Sequence, residues 1–432
     1  MKDKLVSLSR KPFVRNVFIM ATGTAAAQII TMAFSPIITR MYGPESFGVL
    51  GVFMAMVGII GPVAALTYPI AIVLPKSDAN AKGLVRLALY ITLIVTVVAT
   101  LILILFNRPL ARLLQIEEIS PFLYLVPLVV LFSGVLQVVQ QWLIRNKQFG
   151  ITARVTSLHA LLLQSSIVGV GLFYPMSIIL VTLSTAGQAL KAFMLFIGVR
   201  KSQSKGSKTT YKPVSLKKLA KKYRDFPLFR APEVFLNAAS QSLPILLLTS
   251  FFGPASAGFY TLGKTVLGAP SQLIGKSVGD VFYPRISEAA KNHENLSNLI
   301  TKATIALGAI GIIPFGLVII FGPWLFSFVF GENWVIAGEY ARWIALWYFF
   351  GFMNKPCVRA LPVLSAQAFH LIFTLLMLII RVTVLAIGYY VFASDLVAIA
   401  FFGVSGAILN ICLILITIRI SKNYDNQYGD IK

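Results

Sequence analysis

The sequence predicts an all-α polytopic membrane protein of about twelve transmembrane helices, and three observations carry that prediction. Apolar runs of about 20 residues recur along the whole chain, each long enough to cross ~30 Å of hydrocarbon as a helix. Only 12% of the 432 residues are charged while 57% are hydrophobic, against ~25% charge in an ordinary soluble domain. The runs lack the alternation of a transmembrane barrel, and lipid leaves no other way to satisfy the backbone.

The spans fall near 16–39, 47–74, 84–106, 121–144, 154–174, 176–198, 226–251, 259–283, 299–322, 334–355, 366–392 and 395–418. The chain starts with a basic segment like a signal peptide's, but the apolar stretch at 17–38 is too long for a signal core. It reads as a retained first helix. The apolar stretch 323–331 reads as a short re-entrant or interfacial piece after the ninth span.

Twelve spans place both termini on one side. Counting Lys and Arg by loop and flanking turn gives 29 on the face of the termini and the even-numbered loops, against three (Arg40, Arg108, Arg112) on the other. By the positive-inside rule the first face is cytoplasmic. The net charge of +23 is then a topology signal and a means of contacting anionic headgroups, not a sign of nucleic-acid binding.

The most polar stretch, 200–224, holds ten Lys/Arg and reads as a cytoplasmic linker with a surface helix at 215–224. It divides the chain into an N-lobe (1–199, six spans) and a C-lobe (225–432, six spans). Local pattern repeats between them. Tyr42-Gly43-Pro44-Glu45-Ser46-Phe47-Gly48 follows the first span, and Phe252-Gly253-Pro254-Ala255-Ser256-Ala257-Gly258 follows the seventh. Tyr68-Pro69 and Tyr283-Pro284 end the second and eighth. An even number of spans per half makes the repeats parallel, a design in which substrate binds between halves.

The opening RNVFIMATGTAAAQIITMAFSPIITRMYGPESFGVLG, and FGENWVIAGEYARWIALW at 330–347, resemble Wzx-type polysaccharide flippases. These belong to the multidrug/oligosaccharidyl-lipid/polysaccharide (MOP) exporter superfamily, alongside MATE drug antiporters and the lipid II flippase. The resemblance implies a MATE-like fold of two six-helix lobes around a central cavity. It also implies transport, by alternating access in the bacterial inner membrane, of an undecaprenyl-pyrophosphate-linked oligosaccharide for O-antigen, capsule or exopolysaccharide. Membrane lipids and the polymerase complex of the pathway are the further partners expected. No cofactor and no enzymatic activity are expected.

Polar groups in spans are costly and usually face a cavity or a partner. Arg381 sits near the centre of its span, with His370 and Thr374 on the same face, and is the leading anion-binding candidate. A structural contact inside the bundle is the other reading. Arg342 and Lys264, in the outer parts of their spans, could meet a pyrophosphate or snorkel to headgroups. Thr24, Gln28, Thr31 and Ser35 form a stripe on the first helix. Arg230, Glu233, Asn237, Ser240, Gln241 and Pro244 form one on the seventh. Both read as cavity lining or helix interface. Pro36 and Pro244 are expected to kink or end these helices. Arg binds phosphate oxygens through forked donors, while Asn, Gln, Ser and Thr suit sugars. Glu233 and Asp280 are the embedded acids that could couple an ion, although Lys276 four residues before Asp280 favours a local pair.

Cys357 and Cys412 offer no disulfide framework, and His159, His293 and His370 are scattered, so no metal site is expected. Gly268 and Gly275-Lys276-Ser277 miss the phosphate-loop spacing and lie within a span. Two other readings stand beside the flippase. A MATE-like multidrug or cation antiporter would use an acid such as Glu233. A membrane glycosyltransferase or polymerase would want a sizeable outward loop, and the outward loops here are short.

Overall fold

The computed structural model describes residues 12–113, 117, 120–203, 215–271 and 276–429, with the side chains of 12–18, 113, 201–203, 276–281, 284 and 428–429 outside the described set. All regular structure among them is helical. Two compact units are present, Met1–Ser250 and Phe251–Lys432.

The first unit contains α1 (Pro12–Met41), α2 (Pro44–Ile60), α3 (Asp78–Leu113), α4 (Val126–Arg145), α5 (Phe149–Gly171), α6 (Ser177–Gln203), a short α7 (Leu216–Lys222) and nearly all of α8 (Ala231–Phe252). Pro44 opens α2 at the position where its missing N–H costs nothing. α1 packs along α5, and the contact is close. A Cβ on Gly23 would come within 2.5 Å of the Ala153 Cα, and Ser157 Oγ donates to the Gly23 carbonyl at 3.0 Å. α3 turns a broad apolar face outward, with Leu93, Ile94, Leu101, Ile104 and Leu105 all exposed. Such a face suits lipid and would be untenable in water.

The second span departs from the expected continuous 47–74 helix. α2 stops at Ile60, and short 3-10 turns follow at Gly61–Val63 and Tyr68–Val73. Between them Leu66 and Thr67 adopt left-handed backbone (φ 46° and 56°). Pro62 and Pro69 each remove an amide donor from a continuing helix, which accounts for the break. Arg145 at the end of α4 braces the far side, donating to the carbonyls of Ile72 (3.2 Å) and Pro75 (2.6 Å) and to Asp78 (2.8 Å).

The second unit contains α9 (Pro254–Pro270), α10 (Lys276–Lys291), α11 (Leu296–Phe330), α12 (Val335–Met353), α13 (Lys355–Ala360), α14 (Gln367–Tyr390) and α15 (Asp395–Gly429). The stretch 323–331 is not re-entrant. It continues α11, a single 35-residue helix that passes through Pro314 and Pro323 and is about 52 Å long at 1.5 Å per residue. Asn295 caps its start by accepting from the Asn298 amide at 2.8 Å, and Asp425 near the chain's end accepts from the Leu296 and Ser297 amides (2.9 and 2.8 Å). Tyr283-Pro284 lies inside α10. Pro36 and Pro244 lie inside α1 and α8 without ending them.

Nine of the described helices are long and apolar enough to cross a membrane. The other three expected spans coincide with α5, with α9 and α10 on either side of 272–275, and with α12. α5 carries Arg154 and His159 and α12 carries Glu339 and Arg342, so these helices need protein rather than lipid on one face. The protein is therefore an all-α, multi-pass membrane protein of about twelve spans. Within 200–224, residues 204–214 lie outside the described residues, and α7 occupies Leu216–Lys222.

Candidate functional site

Arg381 points from α14 into a shelf of aromatic side chains in the second unit. Its guanidinium carbon lies 4.7 Å from the centroid of Trp347 (α12) and 5.8 Å from that of Phe402 (α15). The two rings meet edge to face at 5.1 Å. Tyr348 abuts Trp347 at 4.9 Å, and Tyr260 of α9 meets Phe402 at 6.0 Å. Ring faces carry negative potential, so they hold a cation without neutralising it. Among the described residues Arg381 forms no ion pair with a carboxylate. Its Nε is buried and has no hydrogen-bond partner.

Two further features sharpen the site. Lys264 lies one helical turn beyond Tyr260 on α9. The Tyr260 hydroxyl, fully buried, also lacks a hydrogen-bond partner. A buried guanidinium nitrogen and a buried hydroxyl without partners are each unfavourable in an apolar interior. An anionic ligand with acceptor oxygens would complement the Arg381 charge.

The shelf exists because α12 and α15 approach closely. A Cβ on Gly406 would sit 2.9–3.0 Å from the Trp347 indole, so this position has room only for hydrogen. A polar ladder continues the contact. Asn410 donates to the Gly406 carbonyl at 2.7 Å, and Asn354 donates to Asn410 at 3.0 Å. At the opposite end of α15, Asp395 accepts from Tyr340 (2.6 Å), Ser256 (3.0 Å) and the Leu396 amide (2.7 Å). α9, α12 and α15 are thereby tied together.

The other expected residues are dispersed. Arg342 donates to the Ile319 carbonyl (3.0 Å) and to Glu339 (3.3 Å), a bracing role between α11 and α12. In the first unit Arg230 is held by Glu233 through both carboxylate oxygens (2.7 and 2.8 Å), and Gln241 donates to Asn237 at 3.0 Å. These four are exposed, whereas Ser240 and Pro244 are buried, so the α8 stripe splits into an open edge and a packed one. Thr24 and Thr31 donate to carbonyls of their own helix, at 3.0 and 2.9 Å, and Gln28 lies half-buried beside them. Thr374 does the same toward His370 (2.8 Å). The side chains of Asp280 and Lys276 fall outside the described residues. No group of His, Cys, Asp and Glu among the described residues could hold a metal.

Residues 37–338 match the family model described as polysaccharide biosynthesis protein. The chain belongs to that family. A curated relative, the succinoglycan biosynthesis transport protein ExoT of Rhizobium meliloti (strain 1021), is 22% identical over 366 residues, covering 83% of this chain and 70% of ExoT. Among solved structures, the lipid II flippase MurJ in an inward closed conformation superposes with a TM-score of 0.72 at 13% identity, covering 93% of this chain and 87% of MurJ. An inward-facing multidrug resistance MATE transporter of the MOP superfamily superposes with a TM-score of 0.69 at 13% identity, covering 93% and 96%. The fold of this polysaccharide biosynthesis protein is thus of the MOP type, as the opening sequence and the 330–347 segment imply.

The aromatic shelf escaped the sequence reading. Trp347 lies in the segment that carries the resemblance, but its contact with Arg381 joins positions on two helices and leaves no local pattern. Tyr260, Tyr348 and Phe402 are ordinary apolar residues at helical spacing until the packing is known.

Proposed function

We propose that this protein flips undecaprenyl-pyrophosphate-linked oligosaccharide repeats from the cytoplasmic to the periplasmic leaflet, by alternating access, with Arg381 as the principal contact for the pyrophosphate. The observation that carries the reading is a half-buried arginine whose guanidinium is held by rings instead of a carboxylate. An ion-paired Arg would already be neutralised, whereas this one keeps its charge and its forked donors for phosphate oxygens. Lys264 adds a second charge. Arg342, Arg230, Asn237, Gln241, Gln28, Thr24 and Thr31 serve the passage of the sugars in this reading. Glu233, which is exposed, and Asp280 are the candidates for ion coupling.

The expected setting is the bacterial inner membrane with both termini cytoplasmic. Segments 1–199 and 225–432 act as the two lobes, joined by the basic 200–224 segment. Two embedded cations suit a MATE-like exporter of cationic drugs poorly, because like charge would repel the cargo.

The test is deletion of the gene in its host, with analysis of lipid-linked sugars and surface polymer. Undecaprenyl-linked single repeats trapped on the cytoplasmic side, rescued by the wild-type gene, support flipping. Unchanged surface polysaccharide would refute it, and repeats that reach the periplasm unpolymerised would point to a polymerase instead.

A further inference from the structure

A second concentration of charge lies far in sequence from Arg381 and takes no part in the proposed transport site. α7 reads LKKLAKK, and Lys217, Lys218, Lys221 and Lys222 are all exposed. A free seven-residue helix with four like charges would not persist in water. This one is fastened to the break in the second span. Leu219 is buried in a cluster with Tyr68, Leu84, Ala88 and Val138. Tyr68 Oη donates to the Ala220 carbonyl at 3.2 Å, and Thr67 Oγ1 donates to the Phe226 carbonyl at 3.0 Å. The helix thus presents a fixed, wholly basic outer face.

Two neighbours define what that face meets. α7 packs on α3, whose first turns add exposed Lys82 and Arg86 at a spacing of one helical turn. On the other side, the chain entering α8 exposes Leu228 and Phe229, at 60% and 72%. Cations beside exposed apolar side chains at the entry to a span match a bilayer surface, with charge among headgroups and rings among acyl chains. A soluble acidic partner would not account for the apolar pair.

We propose that α7, with the first turns of α3, is a docking surface for anionic phospholipid headgroups of the surrounding bilayer. Bound headgroups offset the lysine repulsion and so hold α7 against the left-handed turn at Leu66 and Thr67. The surface makes the rigidity of the broken second span depend on the charge of the membrane.

The test uses the full chain in nanodiscs of phosphatidylcholine doped with phosphatidylglycerol. Retained lipids are read by native mass spectrometry, and amide exchange is followed over 61–74. The wild type should retain phosphatidylglycerol selectively, and high salt should abolish the selectivity. The variant K217Q/K218Q/K221Q/K222Q should lose it by about an order of magnitude and exchange faster over 61–74. R108Q/R112Q, expected on the other face, should keep it. Salt-insensitive selectivity in the wild type overturns the proposal even if the quadruple variant fails to fold. A folded quadruple variant with undiminished selectivity also overturns it.

Discussion

The Arg381 guanidinium carbon lies 4.7 Å above the centroid of the Trp347 ring, and this pairing decides what the cation is free to do. An arginine held by a carboxylate is a structural element. One held by a ring is still charged and still directs donors outward. A desolvated contact of this kind stabilises by ~2 kcal/mol or more. Arg381→Lys keeps the charge but loses the flat stack and the fork, so transport should fall about tenfold or more. Arg381→Ala should abolish it, at unchanged membrane abundance measured by immunoblot.

Gly406 sets the distance between α12 and α15. Gly406→Ala would press a methyl onto the Trp347 indole and should cost ~1–3 kcal/mol as overpacking. A lowered melting temperature in detergent, together with transport loss, is the expected result. Trp347→Phe in the same background should recover part of the stability by making room.

Asp395 is the hub of the α9–α12–α15 contact, with three hydrogen bonds to one carboxylate. Bonds to a charged acceptor contribute ~1.5–3 kcal/mol each. Asp395→Ala should therefore destabilise strongly. Tyr340→Phe should cost one bond, and Ser256→Ala the longer and weaker one. Thermal melts of the three variants should rank in that order.

Asp395 also shows how much of the architecture was legible in the sequence. The Gly-Pro-x-Ser repeat pointed to two equivalent halves, and the structure uses its serines alike. Ser46 at the start of α2 receives a hydrogen bond from Ser177 at the start of α6 (3.2 Å), and Ser256 at the start of α9 donates to Asp395 at the start of α15. Lys147 and Ser365 both turn left-handed before the fifth and eleventh spans. Periodicity therefore located most of the helices, because lipid leaves the backbone few choices. It did not locate the break at 61–73, where two prolines outweigh apolar patterning, or the continuity of α11 through Pro323. It named Arg381 from its central depth, but not the rings around it. Apolar residues at helical spacing look alike whether they face lipid, core or a guanidinium.

Outside the spans, Arg285 in α10 pairs with Glu294 before α11, at 3.0 Å for one of its two contacts. The guanidinium holds the Glu294 carboxyl below the usual carboxylate range, and Glu294 in turn raises Arg285. A depressed carboxyl contributes stability that is present above its unfolded pKa and is lost as pH falls through its folded one. Thermal stability should be insensitive to this pair from neutral pH down to the carboxylate range and decline only below it. Arg285→Ala should return Glu294 to an ordinary titration, measured by carbon NMR of labelled glutamate. Both groups are exposed, so the effect on melting should be small.

The most direct test of the central claim is transbilayer movement in purified proteoliposomes loaded with a polyprenyl-pyrophosphate-linked oligosaccharide. Appearance of the sugar on the outer leaflet is read by a membrane-impermeant glycosidase. Wild-type protein should make the inner-leaflet pool accessible, and Arg381→Ala vesicles with equal protein content should not. Equal rates from the wild type and Arg381→Ala would contradict the account, because the ring-held guanidinium would then have no part in carrying the lipid-linked sugar.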